Sequence, residues 1–95
     1  MDVEVHPQAR AEALEVRAWY QKRDPILAEA FVDEMESALA HVAERPKAWP
    51  PFESGTRRYL RQRFPYSIVY RICGSTLEVV AIAHASRRPG YWVGR

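Results

Sequence analysis

The sequence predicts an α+β fold: a small antiparallel sheet with an αα-hairpin packed on one face, in the order β-α-α-β-β-β. Three observations in the 95 residues carry this expectation. Apolar residues recur every three or four positions between Pro7 and Glu44, the period of helices with one buried face. From Thr56 onward the period changes to two, that of half-buried strands. Gly74-Ser75 then sits between two such runs as a two-residue hairpin turn with glycine first. The length allows one domain, spanning 1–95, which buries roughly 60–65% of its unfolded surface and has no room for a second core.

The elements follow in chain order. Asp2-Val3-Glu4-Val5 alternates polar and apolar, a short strand. Pro7 suits the first turn of a helix, where its missing N–H costs nothing. Ala9, Ala13, Val16 and Tyr20 then form one stripe on a helix ending near Lys22. Asp24-Pro25 supplies an N-cap acceptor and a first-turn proline for a second helix. Its stripe is Leu27, Phe31, Met35, Leu39 and Val42, and Pro46 stops it near Glu44, because the residue before a proline avoids helical geometry. A link this short makes the two helices antiparallel neighbours. Residues 46–55 hold three prolines and a glycine and read as a loop, with Trp49 and Phe52 packing over the core.

Charge is segregated along the chain. Residues 1–47 carry six Lys+Arg against ten Asp+Glu, whereas residues 48–95 carry eight against two. All eight of those cations are arginine, whose planar fork grips phosphates and carboxylates with two parallel hydrogen bonds. Such a half suits a nucleic acid or an acidic protein surface. The acids Glu12, Glu15, Glu29, Asp33 and Glu36 are expected on the solvated outer faces of the helices. No apolar run is long enough to span a membrane, no signal-peptide pattern opens the chain, and Cys73 is a lone cysteine, so a cytoplasmic protein without membrane attachment is expected.

The turn at 74–75 sorts the hairpin into two faces. With Ile72 opposite Leu77, Tyr70 opposite Val79, Ile68 opposite Ala81 and Tyr66 opposite Ala83, one face is wholly apolar and must pack on the helices. The other carries Ser67, Val69, Arg71, Glu78, Val80, Ile82 and His84, and is expected to be open and functional. Arg71 lies opposite Glu78, as in a cross-strand ion pair. For the strand before it, placing Leu60 and Phe64 inward lines the open face with Arg57, Arg61 and Arg63, an orientation that a bulge would reverse. The candidate binding set is therefore Arg57, Arg61, Arg63, Arg87, Arg88, Tyr91 and Trp92.

Metal ligation has no support, because His6, His41 and His84 are scattered, and no phosphate-binding glycine loop or nucleophile elbow is present. No cofactor is expected. What remains suits metal-free RNA cleavage as well as simple binding. In the catalytic case His84 would exchange the proton and Arg87 and Tyr91 would assist at the crowded phosphorane.

His6-Pro7-x-Ala9, Trp19-Tyr20, Pro46, Arg57-Arg58, Arg63-Phe64-Pro65-Tyr66-Ser67-Ile68-Val69-Tyr70-Arg71, Ala83-His84 and Arg87-Arg88-Pro89-Gly90-Tyr91-Trp92 together resemble the RelE/ParE superfamily of toxins from type II toxin–antitoxin systems. The resemblance implies a cytoplasmic plasmid-stabilisation-type toxin neutralised by a cognate antitoxin in a hetero-oligomeric complex. RelE-like members cleave mRNA on the ribosome, and ParE-like members poison DNA gyrase. RelE-like enzymes place an arginine where this chain has Ser67, and their second-strand lysine pair has no counterpart here. Both departures favour gyrase as the target over the ribosome and its mRNA. A toxin-derived module that only binds is the remaining alternative.

Overall fold

The computed structural model describes residues 1–60 and 63–95. The elements are β1 (Asp2–Val5), α1 (Pro7–Arg23), α2 (Pro25–Glu44), a 3-10 turn (Glu53–Gly55), β2 (Arg57–Leu60), β3 (Tyr66–Cys73) and β4 (Thr76–His84). The strands form one sheet in the order β1-β4-β3-β2. β2, β3 and β4 run antiparallel, and β1 joins β4 in parallel.

Asp24 makes the tight helix junction. Its N–H donates to the Tyr20 carbonyl at 2.7 Å, closing α1, while its Oδ1 accepts from the Ile26 N–H at 3.0 Å, opening α2. One residue thus satisfies orphan groups of both helices, which is why they fold straight back on each other. His6 caps α1 in the same way, its Nδ1 accepting from the Gln8 N–H at 3.1 Å. Ala9 and Val16 of α1 and Ala28, Phe31, Met35, Ala38 and Val42 of α2 are buried. The helix-side core joins most of these to Tyr59, Phe64, Ile68, Tyr70, Leu77, Val79 and Ile82. Phe31 is its centre, edge-on to Phe64 at 5.6 Å and to Tyr66 at 5.8 Å.

The hairpin register expected from the turn holds for Cys73–Thr76 through Tyr70–Val79 and then slips by one. Val69 pairs with Ala81, so Val80 is the extra residue of a β-bulge. Everything beyond it on β4 changes face. Ile82, expected outward, joins the helix-side core, while Ala81 and Ala83, expected inward, join the opposite side. His84 also moves to the helix side, opposite Tyr66 with ring centroids 5.1 Å apart.

β2 is likewise reversed from the expected orientation. Tyr59 is buried opposite Ile68, and Leu60 is 61% exposed opposite Ser67. The strand ends at Leu60, so the alternation linking Leu60 to Phe64 is broken and Phe64 reaches the core separately. Trp49 from the preceding loop fixes Tyr59 edge-on at 4.5 Å.

The far face of the sheet is covered, not open. Val69, Val80, Ala81 and Ala83 pack under Trp92 from the C-terminal segment, with Phe52 and Tyr91 flanking it. Phe52 stacks on Trp92 at 5.4 Å, and Arg58 lies over the outer face of Phe52 at 4.1 Å. The sheet is therefore the middle layer of three, and its far side has a small core of its own.

Tyr70 tests this layering, since it is fully buried on the helix side and its hydroxyl donates to the Pro46 carbonyl at 2.6 Å. Tyr70→Ala should cost about 3–5 kcal/mol, as large aromatic truncations in cores do. Tyr70→Phe should cost only about 0.5–1.5 kcal/mol, the net worth of one hydrogen bond. Urea unfolding of both variants, with unchanged denaturant slopes, is the measurement.

Candidate functional site

The bulge at Val80 shapes a cleft beside α1. By turning His84 toward the helices, it lines a space of about 470 Å³ between α1 and the C-terminal segment. Glu12, Glu15, Trp19 and Tyr20 of α1 form one wall, with Tyr66, His84, Arg87 and Tyr91 facing them. Glu12, Glu15 and Trp19 recur at three- and four-residue spacing, which places them on one stripe of the helix. His84, Arg87 and Tyr91, the three residues singled out for catalysis, therefore share one site. It lies on the helix side of β4 and not on an open sheet face.

Glu12 organises that site. Its Oε1 accepts from the Ile82 N–H at 3.1 Å and from Arg95 Nη1 at 2.8 Å, and its Oε2 accepts from the Tyr91 hydroxyl at 2.8 Å. Burial raises the Glu12 carboxyl's affinity for a proton, but the bonds from Arg95, Tyr91 and Ile82 outweigh it and hold its pKa below the ordinary value of 4.5. The Tyr91 phenol is pushed far above its ordinary value by burial and then by its bond to the Glu12 carboxylate. Arg87 lies over the Tyr91 ring with its guanidinium carbon 3.9 Å from the centroid, a cation–π contact.

These contacts engage the groups a ribonuclease would need free. The Ser86 N–H donates to His84 Nδ1 at 2.9 Å, and Ser86 Oγ lies 2.7 Å from the same nitrogen. A ring nitrogen that accepts from a backbone N–H carries no proton, so the neutral imidazole holds its hydrogen on Nε2. His84 then has Nε2 left to donate, because Nδ1 is engaged by Ser86. Tyr91 is a fixed donor to Glu12 and unsuited as a base. Among the described residues, no group of three or more His, Cys, Asp or Glu side chains converges to hold a metal ion.

The remaining candidates scatter. Arg57 turns to the helix side and caps the loop, donating from Nη1 to the carbonyls of Trp49 at 2.6 Å and Lys47 at 3.3 Å. Arg61 lies outside the described residues. The Arg63 side chain is 59% exposed, with Glu34 at 3.7 Å. Arg87 lines the cleft, and both it and its chain neighbour Arg88 are exposed. Trp92, expected at the surface as a binding residue, is 4% exposed and is the plug of the far-side core. The expected Arg71–Glu78 pair forms, with Nε to Oε1 at 2.6 Å, and Arg71 also donates to the Arg95 carbonyl at 2.9 Å.

Glu12, Trp19 and Arg95 were missed by sequence reasoning. Glu12 reads as one more solvated helix acid, and its partners lie 70 or more residues away in the chain. Trp19 carries a signal: it stands off the apolar stripe of α1, remains 50% exposed, and is stacked upon by Arg23 at 3.7 Å.

Comparison with known proteins agrees with this architecture. The family model for the ParE toxin of the type II toxin–antitoxin system parDE matches residues 3–89. A solved chain from the chromosomal ParDE toxin–antitoxin system of P. aeruginosa superposes with a TM-score of 0.73. It is 24% identical, and the match covers 88% of this chain and 95% of that one. No curated protein matches. Among the described residues, no helix is long and apolar enough to cross a membrane.

The Glu12 cluster predicts a pH dependence. A carboxyl whose folded pKa is depressed contributes stability that is present above its unfolded value and lost as pH falls through the folded one. The wild-type chain should therefore lose stability below pH 4.5. Glu12→Gln should be less stable at pH 7 by about 1–3 kcal/mol, the worth of hydrogen bonds to a charged group. That gap should narrow steadily toward pH 3, as read by denaturant titrations at both pH values.

Proposed function

The chain belongs to the ParE toxin family of type II toxin–antitoxin systems, and from that membership we propose that it inhibits DNA gyrase and is neutralised by a cognate antitoxin. The family match over residues 3–89 carries the reading. The engaged state of the cleft supports it, because a protein that acts by binding needs neither a free base nor a free acid. Ser67 adds support: it is an uncharged residue, buried opposite Ala83, at the position where the resemblance to RelE-like enzymes would call for an arginine. The exposed pair Arg87 and Arg88 is the proposed contact with the target, with Arg63 as a further cation. Tyr91 serves by holding Arg87 in place.

The proposed surface for the antitoxin is a different one. An apolar groove of about 330 Å³ runs between α1 and α2, with Ala9, Ala13, Phe31 and Met35 in its lining and Arg10, Arg17 and Glu36 as its charged residues. A helical segment with apolar anchors and flanking carboxylates fits that pattern. The resulting toxin–antitoxin complex would be hetero-oligomeric, and the gathering of His84, Arg87 and Tyr91 in one cleft is the observation that favours the second reading, a ribosome-dependent endoribonuclease.

Growth arrest on induction, gyrase supercoiling and cleavage of mRNA on programmed ribosomes separate these readings. Arg87→Glu with Arg88→Glu should reduce gyrase inhibition at least tenfold, about 1.4 kcal/mol of binding. His84→Ala should leave inhibition within a few-fold. A ribonuclease would instead lose about 10²–10⁴ in its chemical step with His84→Ala. Ribosomal cleavage by the wild-type chain with gyrase unaffected would overturn the proposal.

A further inference from the structure

The two edges of the sheet are treated differently. At β2 the Arg58 N–H donates to the Pro50 carbonyl at 3.3 Å, and Pro51 bridges to Arg57, so the proline loop closes that edge. At the other end β1 is the last strand in the sheet, and no described residue pairs with its outer side. It has no proline, no bulge and no lysine, and its protection is its length of four residues and the carboxylates of Asp2 and Glu4.

The parity of β1 shows what this edge offers. His6 donates its N–H to the Val79 carbonyl at 2.9 Å, so by the two-residue alternation of a ladder Glu4 and His6 turn their backbone groups to β4. Val3 and Val5 therefore turn their N–H and C=O groups outward. Their side chains lie on the helix side, next to Leu77 and Val79, and Val5 continues into the apolar groove between the helices. Asp2 and Glu4 point to the opposite side, beside Thr76 and Glu78. Glu78 is already paired with Arg71, and no ion pair neutralises Asp2 or Glu4 among the described residues.

We infer that the outer edge of β1 is a strand-addition site for an extended basic segment of a partner protein, one that alternates cationic with aliphatic residues. Backbone bonds to Val3 and Val5 would hold the segment, its aliphatic side chains would extend the Val3–Val5 row, and its cations would meet Asp2 and Glu4. The same carboxylates exclude a second copy of this chain, because pairing β1 with itself sets acid against acid in either direction. The site spans four residues, about 13 Å, and so fits one short strand. This assignment does not depend on the gyrase reading, and either can fail alone.

The test is a titration of isotope-labelled full-length protein with a capped pentapeptide alternating lysine and valine, followed by NMR. Shifts should centre on β1, and exchange of the Val3 and Val5 amides should slow. A peptide with glutamate in place of lysine should bind at least tenfold more weakly. Val3→Pro removes an outward N–H without touching the β4 ladder and should weaken binding of the basic peptide at least tenfold. Asp2→Asn with Glu4→Gln, which leaves the backbone untouched, should do the same and abolish the salt dependence. Failure of the basic peptide to bind, equal binding of both peptides, shifts confined to other elements, or full binding by the neutralised double variant would each overturn the assignment.

Discussion

β4 outruns its neighbour, and the closing of its bare edge determines the rest of the structure. β1 ends at Val5, opposite Val79, and β4 continues to His84. Left unpaired in a half-buried position, each backbone group there would cost about 1–3 kcal/mol. No strand supplies the partners. The Glu12 carboxylate accepts from the Ile82 N–H, and the Arg95 guanidinium donates to the Val80 carbonyl at 2.9 Å. The two side chains are also paired to each other, so a helix and the C-terminal segment together act as a substitute strand. That contact ties Tyr91 to α1, presses Trp92 onto the far face of the sheet, and leaves the cleft beside it.

How much of this was legible depends on the range of the forces involved. Asp24-Pro25, Pro7 and Pro46 act within a turn or two of the chain, and both helices end close to where those residues place them. The hairpin turn is equally local, and the first four pairs beyond it follow from it. The register fails at Val80 because Val79-Val80-Ala81-Ile82-Ala83 is apolar throughout. A one-residue slip normally carries polar residues into the core, and here it exchanges only one aliphatic for another. Since both faces of the sheet are covered, neither register exposes a hydrophobic row, and packing around Trp92 decides. The error then carried to His84, four residues beyond. Trp92 and Glu12 were misread for the same reason: their partners are distant in sequence, and a terminal tryptophan or a helix glutamate looks like surface until those partners are known.

The same contacts explain why proximity at the cleft does not amount to reactivity. Catalysis by general acids and bases requires a group that is both near the substrate and able to change its protonation state. His84, Arg87 and Tyr91 meet the first condition. Ser86 occupies the accepting nitrogen of His84, and the Tyr91 hydroxyl donates to the Glu12 carboxylate, which makes its proton harder to remove. Arg87 cannot change its protonation state either, but a cation on the face of an aromatic ring keeps N–H groups available for binding. The cleft therefore presents charge and hydrogen-bond donors with a fixed geometry, which is what recognition demands.

Three layers leave the sheet little surface of its own. The helices take one face, Trp92 and Phe52 take the other, and the proline loop takes the β2 edge. A partner can then approach at the α1–α2 groove, at the cleft mouth or along β1, and these places differ in charge. The groove is lined by Arg10, Arg17 and Glu36, the cleft by Arg87 with Glu12 and Glu15, and β1 carries Asp2 and Glu4. Salt screens exposed charges over a Debye length, about 8 Å at physiological ionic strength. The net charge of +2 sums over groups of both signs and says little about association at any one surface. On the proposed assignments each surface would select its partner by its own charges, and the domain would hold an acidic segment at the groove and a basic one at β1.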